Sequence, residues 1–218
     1  MHKSITNLID IKKEINSKKG DSVPNPKIIA VSKTFSLEKI IPLIDYGHQD
    51  YGENKVQEAI EKWTVIKNKN QSLNLHMVGK LQTNKVKQAL KIFDYIHSLD
   101  SEKLAKKISK EQKDLKKDIK LFIQVNIGNE IQKNGIDIND LKNFYDFCTN
   151  DLGLNIIGLM CLPPEGLDPS IYFDKMKKAS DNLSLKELSM GMSSDYMTAI
   201  KFNASYLRIG SKIFGKRI

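Results

Sequence analysis

The sequence predicts a closed (β/α)8 barrel, the TIM-barrel class of α/β folds, with one extra helix at its N-terminus. Three observations lead there. Eight short apolar or β-branched runs recur, each followed by a helical periodicity or a turn. No break in composition divides the 218 residues, so a single domain over 1–218 is expected. Polar and glycine punctuation falls at the C-terminal ends of the runs, at Lys33, Asn54, Gly79, Gly128, Gly191 and Gly210; in a barrel those ends meet at one rim, where the chemistry sits. A doubly wound open sheet is the competing architecture, but eight regular units without an edge-strand signature favour closure.

Taken in order, Ile5, Leu8, Ile11 and Ile15 lie at helical spacing, which predicts a leading amphipathic helix over 1–19. Gly20 to Pro26, with two prolines, reads as a loop. Ile28 to Val31 is the first strand, ending on Ser32-Lys33-Thr34, and a helix runs from Ser36 to about Asp45. His48 to Asn54 forms a short strand and turn, and Val56, Ala59, Ile60 and Trp63 share one face of the next helix. Leu73 to Gly79 is the third strand, and Thr83 or Asn84 is expected to cap a helix through Leu90. Phe93 to His97 is the fourth strand, with Asp100 or Ser101 capping a helix that turns Leu104, Ile108 and Leu115 inward. Ile119 to Asn126 is the fifth strand, followed by the Gly128–Gly135 loop and a helix marked by Leu141, Phe144 and Cys148. Leu154 to Met160 is the sixth strand, halted by Pro163-Pro164, and Tyr172, Met176, Ala179 and Leu183 give the next helix face. Lys186 to Met190, a short helix from Ser194 to about Phe202, and Ser205 to Ile209 complete the eight units.

Composition excludes several functions. No apolar run approaches the length of a membrane span, and the longest, around Leu154 to Leu162, is interrupted by Gly158. The N-terminus lacks the apolar segment and cleavage site of a secretory signal. Two cysteines without a CxxC pair carry no disulfide framework, so the cytoplasm is the expected location. A net charge of +9 invites a nucleic-acid reading. Yet the lysines are spread over every helix and the aromatics are not interleaved with them. Of 35 basic residues, only Arg208 and Arg217 are arginine, the better reader of phosphate and guanine. No specific nucleic-acid partner is expected. The four histidines show no metal-ligand spacing, and His48 and His97 read as packing residues.

Lys33 stands where a buried strand emerges, and two readings are open. It snorkels to solvent, or burial disfavours its ammonium and leaves an amine able to condense with an aldehyde. The loops after the last two strands weigh on the second side. Leu188 to Asp195 and Leu207 to Ser211 both place glycine and hydroxyls at a helix start, where backbone N–H groups favour an anion, and barrels commonly hold phosphate at these two positions. A phosphate site opposite a strand-end lysine suits a phosphorylated aldehyde, and pyridoxal 5′-phosphate (PLP) fits. Arg208, kept as arginine in a chain that otherwise uses lysine, could hydrogen-bond the pyridine nitrogen and weaken the ring as an electron sink; an arginine capping a carboxylate is the alternative.

Several motifs in order then resemble one family: Ala30-Val31-Ser32-Lys33-Thr34, Gly52-Glu53-Asn54-Lys55-Val56-Gln57-Glu58, His76 to Lys85, Val125-Asn126 with Glu130, Lys133 and Gly135, Leu188 to Ser193, and Arg208 to Gly215. They resemble the pyridoxal phosphate homeostasis protein family, related to the N-terminal domain of alanine racemase. The resemblance implies a fold-type III barrel with PLP as a Schiff base on Lys33. The ring would lie near Asn54, with Arg208 at its nitrogen and Ser189, Gly191, Ser193, Gly210 and Ser211 at the phosphate. Lys80 stands where the family usually has proline, which bears on the loop shape and adds charge near the rim; Ser211 keeps the hydroxyl where threonine is common. His76 and Tyr51 are expected to approach the rim. Racemases of this type take a tyrosine base from a second domain, and this chain ends at Ile218. A cytoplasmic, monomeric PLP carrier that serves PLP-dependent apoenzymes, with little or no catalysis, is therefore expected; a true amino-acid racemase is the alternative.

Overall fold

The computed structural model describes residues 1–18, 24–130 and 132–216. Eight parallel strands close in sequence order into a barrel: β1 Lys27–Val31, β2 Asp50–Glu53, β3 Asn74–Met77, β4 Tyr95–Leu99, β5 Lys120–Val125, β6 Ile156–Cys161, β7 Glu187–Met192 and β8 Tyr206–Ile209. The predicted fold class is the observed one. The seam is made by β1 on β8, with Lys27 opposite Tyr206 and Ala30 opposite Ile209. Around it lie α1 Lys3–Lys18, α2 Leu37–Asp45, α3 Val56–Lys69, α4 Val86–Ile92, α5 Glu102–Leu115, α6 Leu141–Asp146, α7 Pro169–Asn182, α8 Tyr196–Lys201 and α9 Ser211–Phe214.

Strand alternation divides the buried side chains in two. Tyr51, Leu75, Met77, Leu121 and Leu207 face outward into the large apolar layer between barrel and helices, together with Trp63 and Phe173. Ile29, Val31, Tyr95, Phe122, Met160 and Tyr206 form a separate inner cluster. The extra helix α1 buries Leu8, Ile11 and Ile15. It is tied to the C-terminal segment by Asn7 Nδ2 donating to the Ile213 carbonyl at 2.9 Å and by the Lys212–Glu14 ion pair at 3.0 Å.

Several boundaries differ from expectation. The fourth strand starts at Tyr95 rather than Phe93, because the Phe93 N–H still bonds the Ala89 carbonyl and so ends α4. It continues through Leu99, with a register shift against β5 after Ile96. Neither Thr83 nor Asn84 caps a helix; Thr83–Lys85 is a 3₁₀ turn that leads into α4. Ser101 precedes α5, but its hydroxyl bonds Asp100 rather than the helix N–H groups. The buried stripe of α7 is Phe173, Met176 and Ser180, with Tyr172, Ala179 and Leu183 half-buried beside it. The larger Phe173 ring takes the centre of the face. The loop expected at 20–26 lies outside the described residues as far as 23.

Candidate functional site

Closure places four loops side by side, those after β7, β8, β1 and β2. Lys33 follows β1 and is half-buried; Asn54 follows β2 and is half-buried. Gly210 follows β8 and packs on Val31, the last residue of β1: a Cβ on Gly210 would stand 3.2 Å from the Val31 carbonyl oxygen. The β7 and β8 loops also touch, the Lys212 N–H lying 3.4 Å from Ser193 Oγ. Gly191 sits inside β7 at φ +90°, where the register against β8 shifts between Ser189 and Met192. A side chain there would strain the backbone and meet Ala199 at 2.7 Å. The bulge carries the chain outward to Ser193, and Asp195 secures the turn by accepting from the Met192 N–H at 2.6 Å.

Arg208 lies within the barrel, 5% exposed. Its Nη1 donates to the Ser189 carbonyl at 2.5 Å and to Ser189 Oγ at 2.7 Å, and its Nη2 to the Cys161 carbonyl at 2.8 Å. The bonded acceptors are therefore two carbonyls and a hydroxyl, not the carboxylate of the alternative reading. Three of the five guanidinium N–H groups are spent in this way, leaving two for a ligand acceptor. Burial lowers the guanidinium pKa from its ordinary value, which still leaves arginine cationic at neutral pH.

Ser189 is set apart from the other expected phosphate residues. It is fully buried inside β7, and its hydroxyl is engaged by Arg208 and by His97 Nδ1 at 2.8 Å. Its place is beside the guanidinium, whereas Gly191, Ser193, Gly210 and Ser211 belong to the two rim turns. His76 and Tyr51 do not approach the rim. His76 is fully buried inside the barrel, stacked on Tyr95 with ring centroids 4.3 Å apart. Tyr51 faces outward onto Trp63, ring centroids 4.7 Å apart. The two are one residue out of phase on neighbouring strands: Tyr51 pairs with Leu75, and His76 pairs with Gly52. Alternation sends them to opposite sides of the sheet.

Sequence reasoning missed a brace beneath the lysine. Glu53, fully buried, accepts through Oε1 from Ser32 Oγ at 2.7 Å, Lys62 Nζ at 3.0 Å and Trp63 Nε1 at 3.0 Å. Lys62 also donates to the Ser32 carbonyl at 3.0 Å and to Glu58 at 2.9 Å. Glu58 in turn accepts from the Thr34 N–H at 2.6 Å. Both neighbours of Lys33 are thus held by α3 and the end of β2. The signal in the sequence was a glutamate inside a strand that otherwise reads as buried. Gly79 completes the local packing, since any Cβ would fall 2.5 Å from the Asn54 carbonyl oxygen. Lys80, the departure from the family pattern, donates to Asn134 Oδ1 at 2.6 Å and so ties the loop after β3 to the loop after β5.

Comparison with known proteins gives a consistent picture. Residues 7–217 match the family described as alanine racemase, N-terminal domain. The pyridoxal phosphate homeostasis protein of Aquifex aeolicus is 36% identical over 202 residues, covering 88% of this chain and 87% of that protein. That of Pasteurella multocida is 34% identical over 201 residues, covering 88% and 86%. Among solved structures, PipY of Synechococcus elongatus with PLP bound superposes with a TM-score of 0.85 at 32% identity, over 97% of this chain and all of that one. Alanine racemase from Corynebacterium glutamicum shares the fold at 15% identity and a TM-score of 0.72, over 98% of this chain and 60% of its own.

Proposed function

Because this chain belongs to the pyridoxal phosphate homeostasis protein family, on the fold of the alanine racemase N-terminal domain, we propose that it binds PLP at the β7–β8–β1–β2 rim. It holds the cofactor as a Schiff base on Lys33 for intracellular PLP homeostasis and delivery, with little or no catalysis of its own. The observation that carries this reading is the seam, which seats Gly210 against the end of β1 two residues before Lys33.

The residues present fit the group. The backbone N–H groups and hydroxyls of Gly191, Ser193, Gly210 and Ser211 would form the anion cradle, and the glycines let the two turns pack closely, since a Cβ on Gly191 would meet Ala199 and one on Gly210 the Val31 carbonyl. Arg208 offers its two uncommitted N–H groups to the ring nitrogen, which then accepts a hydrogen bond rather than carrying a proton. Asn54 lies at the adjoining strand end for the ring. PLP supplies an electrophilic aldehyde and an electron-withdrawing ring; an arginine at the nitrogen weakens that withdrawal, and this suits storage better than turnover. The carrier reading is further supported by His76 and Tyr51, which face away from the rim and supply no second base there.

We read residues 1–218 as one PLP-binding domain acting as a monomer in the cytoplasm, with PLP-dependent apoenzymes as recipients. Among the described residues no helix is long and apolar enough to cross a membrane. The test is the absorbance spectrum of purified protein before and after borohydride, for wild type and Lys33→Ala. Wild type is expected to show a reducible imine band and, after reduction, a covalent adduct on the peptide containing residue 33. An equally stable adduct in Lys33→Ala would move the anchor elsewhere. Sustained amino-acid racemisation at ordinary enzyme rates, about 10 s⁻¹, would replace the carrier reading with the racemase one.

A further inference from the structure

A continuous line of buried polar side chains crosses the barrel interior from Arg208 to the N-terminal end of β2. Arg208 Nη1 lies 2.7 Å from Ser189 Oγ, and Ser189 Oγ lies 2.8 Å from His97 Nδ1. His97 Nε2 lies 3.0 Å from His76 Nδ1, and His76 Nε2 lies 3.1 Å from Asp50 Oδ1. Ser189 and both histidines are fully buried, and the His97 ring stacks on Phe122 at 4.2 Å. The Asp50 side chain, 16% exposed, opens on a cavity of about 680 Å³ at the barrel floor, which Lys12, Lys27 and His48 also line.

The chemistry of the two ends sets the direction of every bond between them. A guanidinium can only donate and a carboxylate can only accept. Asp50 accepts from His76, and reading back through neutral rings leaves His97 Nδ1 as the acceptor of the Ser189 hydroxyl proton, while Arg208 donates to a lone pair of Ser189 Oγ. His97 must then carry its proton on Nε2 and donate to His76 Nδ1, and His76 carries its proton on Nε2 and donates to Asp50. Each ring nitrogen has one role, and no two donors or two acceptors meet. The electrostatics agree. Burial depresses the basicity of His76 and holds His97 well below the ordinary histidine range, so both rings are neutral and can relay in one direction. Burial alone would raise the Asp50 carboxyl; the hydrogen bond from His76 and the nearby Lys27 ammonium outweigh it and leave the group below its ordinary value.

Resting on the reading of Arg208 as the partner of the cofactor's ring nitrogen, we infer that Asp50, His76 and His97 are positioning residues. Through Ser189 they lock the orientation of the guanidinium and connect the barrel floor to the ligand on the opposite face. Directional hydrogen bonds in a low-dielectric interior polarise one another, so a change at the floor reaches Arg208 without any contact between Asp50 and the ligand.

The test compares wild type, Asp50→Ala and Asp50→Asn. Two-bond ¹H–¹⁵N correlations on histidine-labelled, ligand-free protein read the tautomers; PLP dissociation constants are measured separately. Wild type is expected to show His76 and His97 both protonated on Nε2. Asp50→Ala should lose that single pattern and bind PLP about tenfold more weakly. Asp50→Asn, which keeps an acceptor for His76, should restore the pattern and most of the affinity. An Nδ1 proton on either histidine of the wild type overturns the inference. So does an Asp50→Ala protein with wild-type tautomers and wild-type PLP affinity. Wild-type protein that shows the expected tautomers but takes up no PLP would overturn the functional reading and leave the relay to Arg208 supported.

Discussion

Arg208 and Thr34 show how single residues set the site. Arg208 satisfies two carbonyls and a hydroxyl that are otherwise buried. Lysine at 208 would keep the charge but, as a compact point donor, could not span Ser189 and Cys161 together. Arg208→Lys is expected to lower unfolding free energy by about 2 kcal/mol, since orphaned buried acceptors each cost about 1–3, and to weaken PLP retention. Urea titration and a binding isotherm check both, and an unchanged protein would show that the fork geometry is unused. Thr34 sits at φ +65°, a left-handed conformation that a β-branched side chain tolerates poorly, directly after Lys33. Thr34→Gly should therefore stabilise the fold by about 1 kcal/mol while loosening the lysine and speeding PLP loss. A destabilised Thr34→Gly protein would mean that the strain is not stored there. The places of Lys33 after β1, of Arg208 in β8 and of the glycine turns were readable from residue chemistry. The interior place of Ser189 was not, because a hydroxyl next to a rim turn looks the same in sequence whichever way it points.

At the scale of elements, α3 works as a strut for β1. Its Lys62 joins the Ser32 carbonyl, Glu53 and Glu58, so the helix fixes both neighbours of Lys33. Removing one partner of a buried pair leaves the other charge stranded. Lys62→Met is expected to cost about 3 kcal/mol in urea unfolding, and to lower the yield of borohydride-fixed PLP even in the folded fraction. Wild-type stability in Lys62→Met would show that Glu53 is satisfied by Ser32 and Trp63 alone. Helical periodicity located α3 and its inward Val56, Ala59 and Trp63, because burial leaves a repeating apolar signature. Lys62 left none. It lies one residue before the tryptophan on the helix, and its role depends on which strand ends beneath it.

The whole molecule carries three buried histidines, His48, His76 and His97. Burial holds His48 down to about 4 and also lowers the other two. Their folded values lie below the unfolded value of about 6.5, so between the two values the unfolded chain binds more protons and the fold loses stability. Stability is then full above about pH 6.5 and falls as the pH drops below it, by up to roughly 1.4 kcal/mol per pH unit for each histidine. The depressed carboxyl of Asp50 adds a loss only at lower pH, as the solution passes through its folded value. Urea midpoints from pH 8 to 5 should show a plateau followed by a decline, and His48→Gln should make the decline shallower. A constant midpoint between pH 7 and 5 would contradict the burial of neutral imidazoles.

The strand–helix alternation, the residue types at the rim and the family likeness are written in short-range spacing and local chemistry, and the chain alone yields them. Tertiary structure was needed for the register in which β8 meets β1, for the opposite facing of His76 and Tyr51, and for the line through Asp50, His76, His97, Ser189 and Arg208. Those relations join residues as much as 179 positions apart, as Lys27 and Tyr206 are. They follow from strand closure and from the side of the pleat each residue takes, and no local pattern in the chain records either.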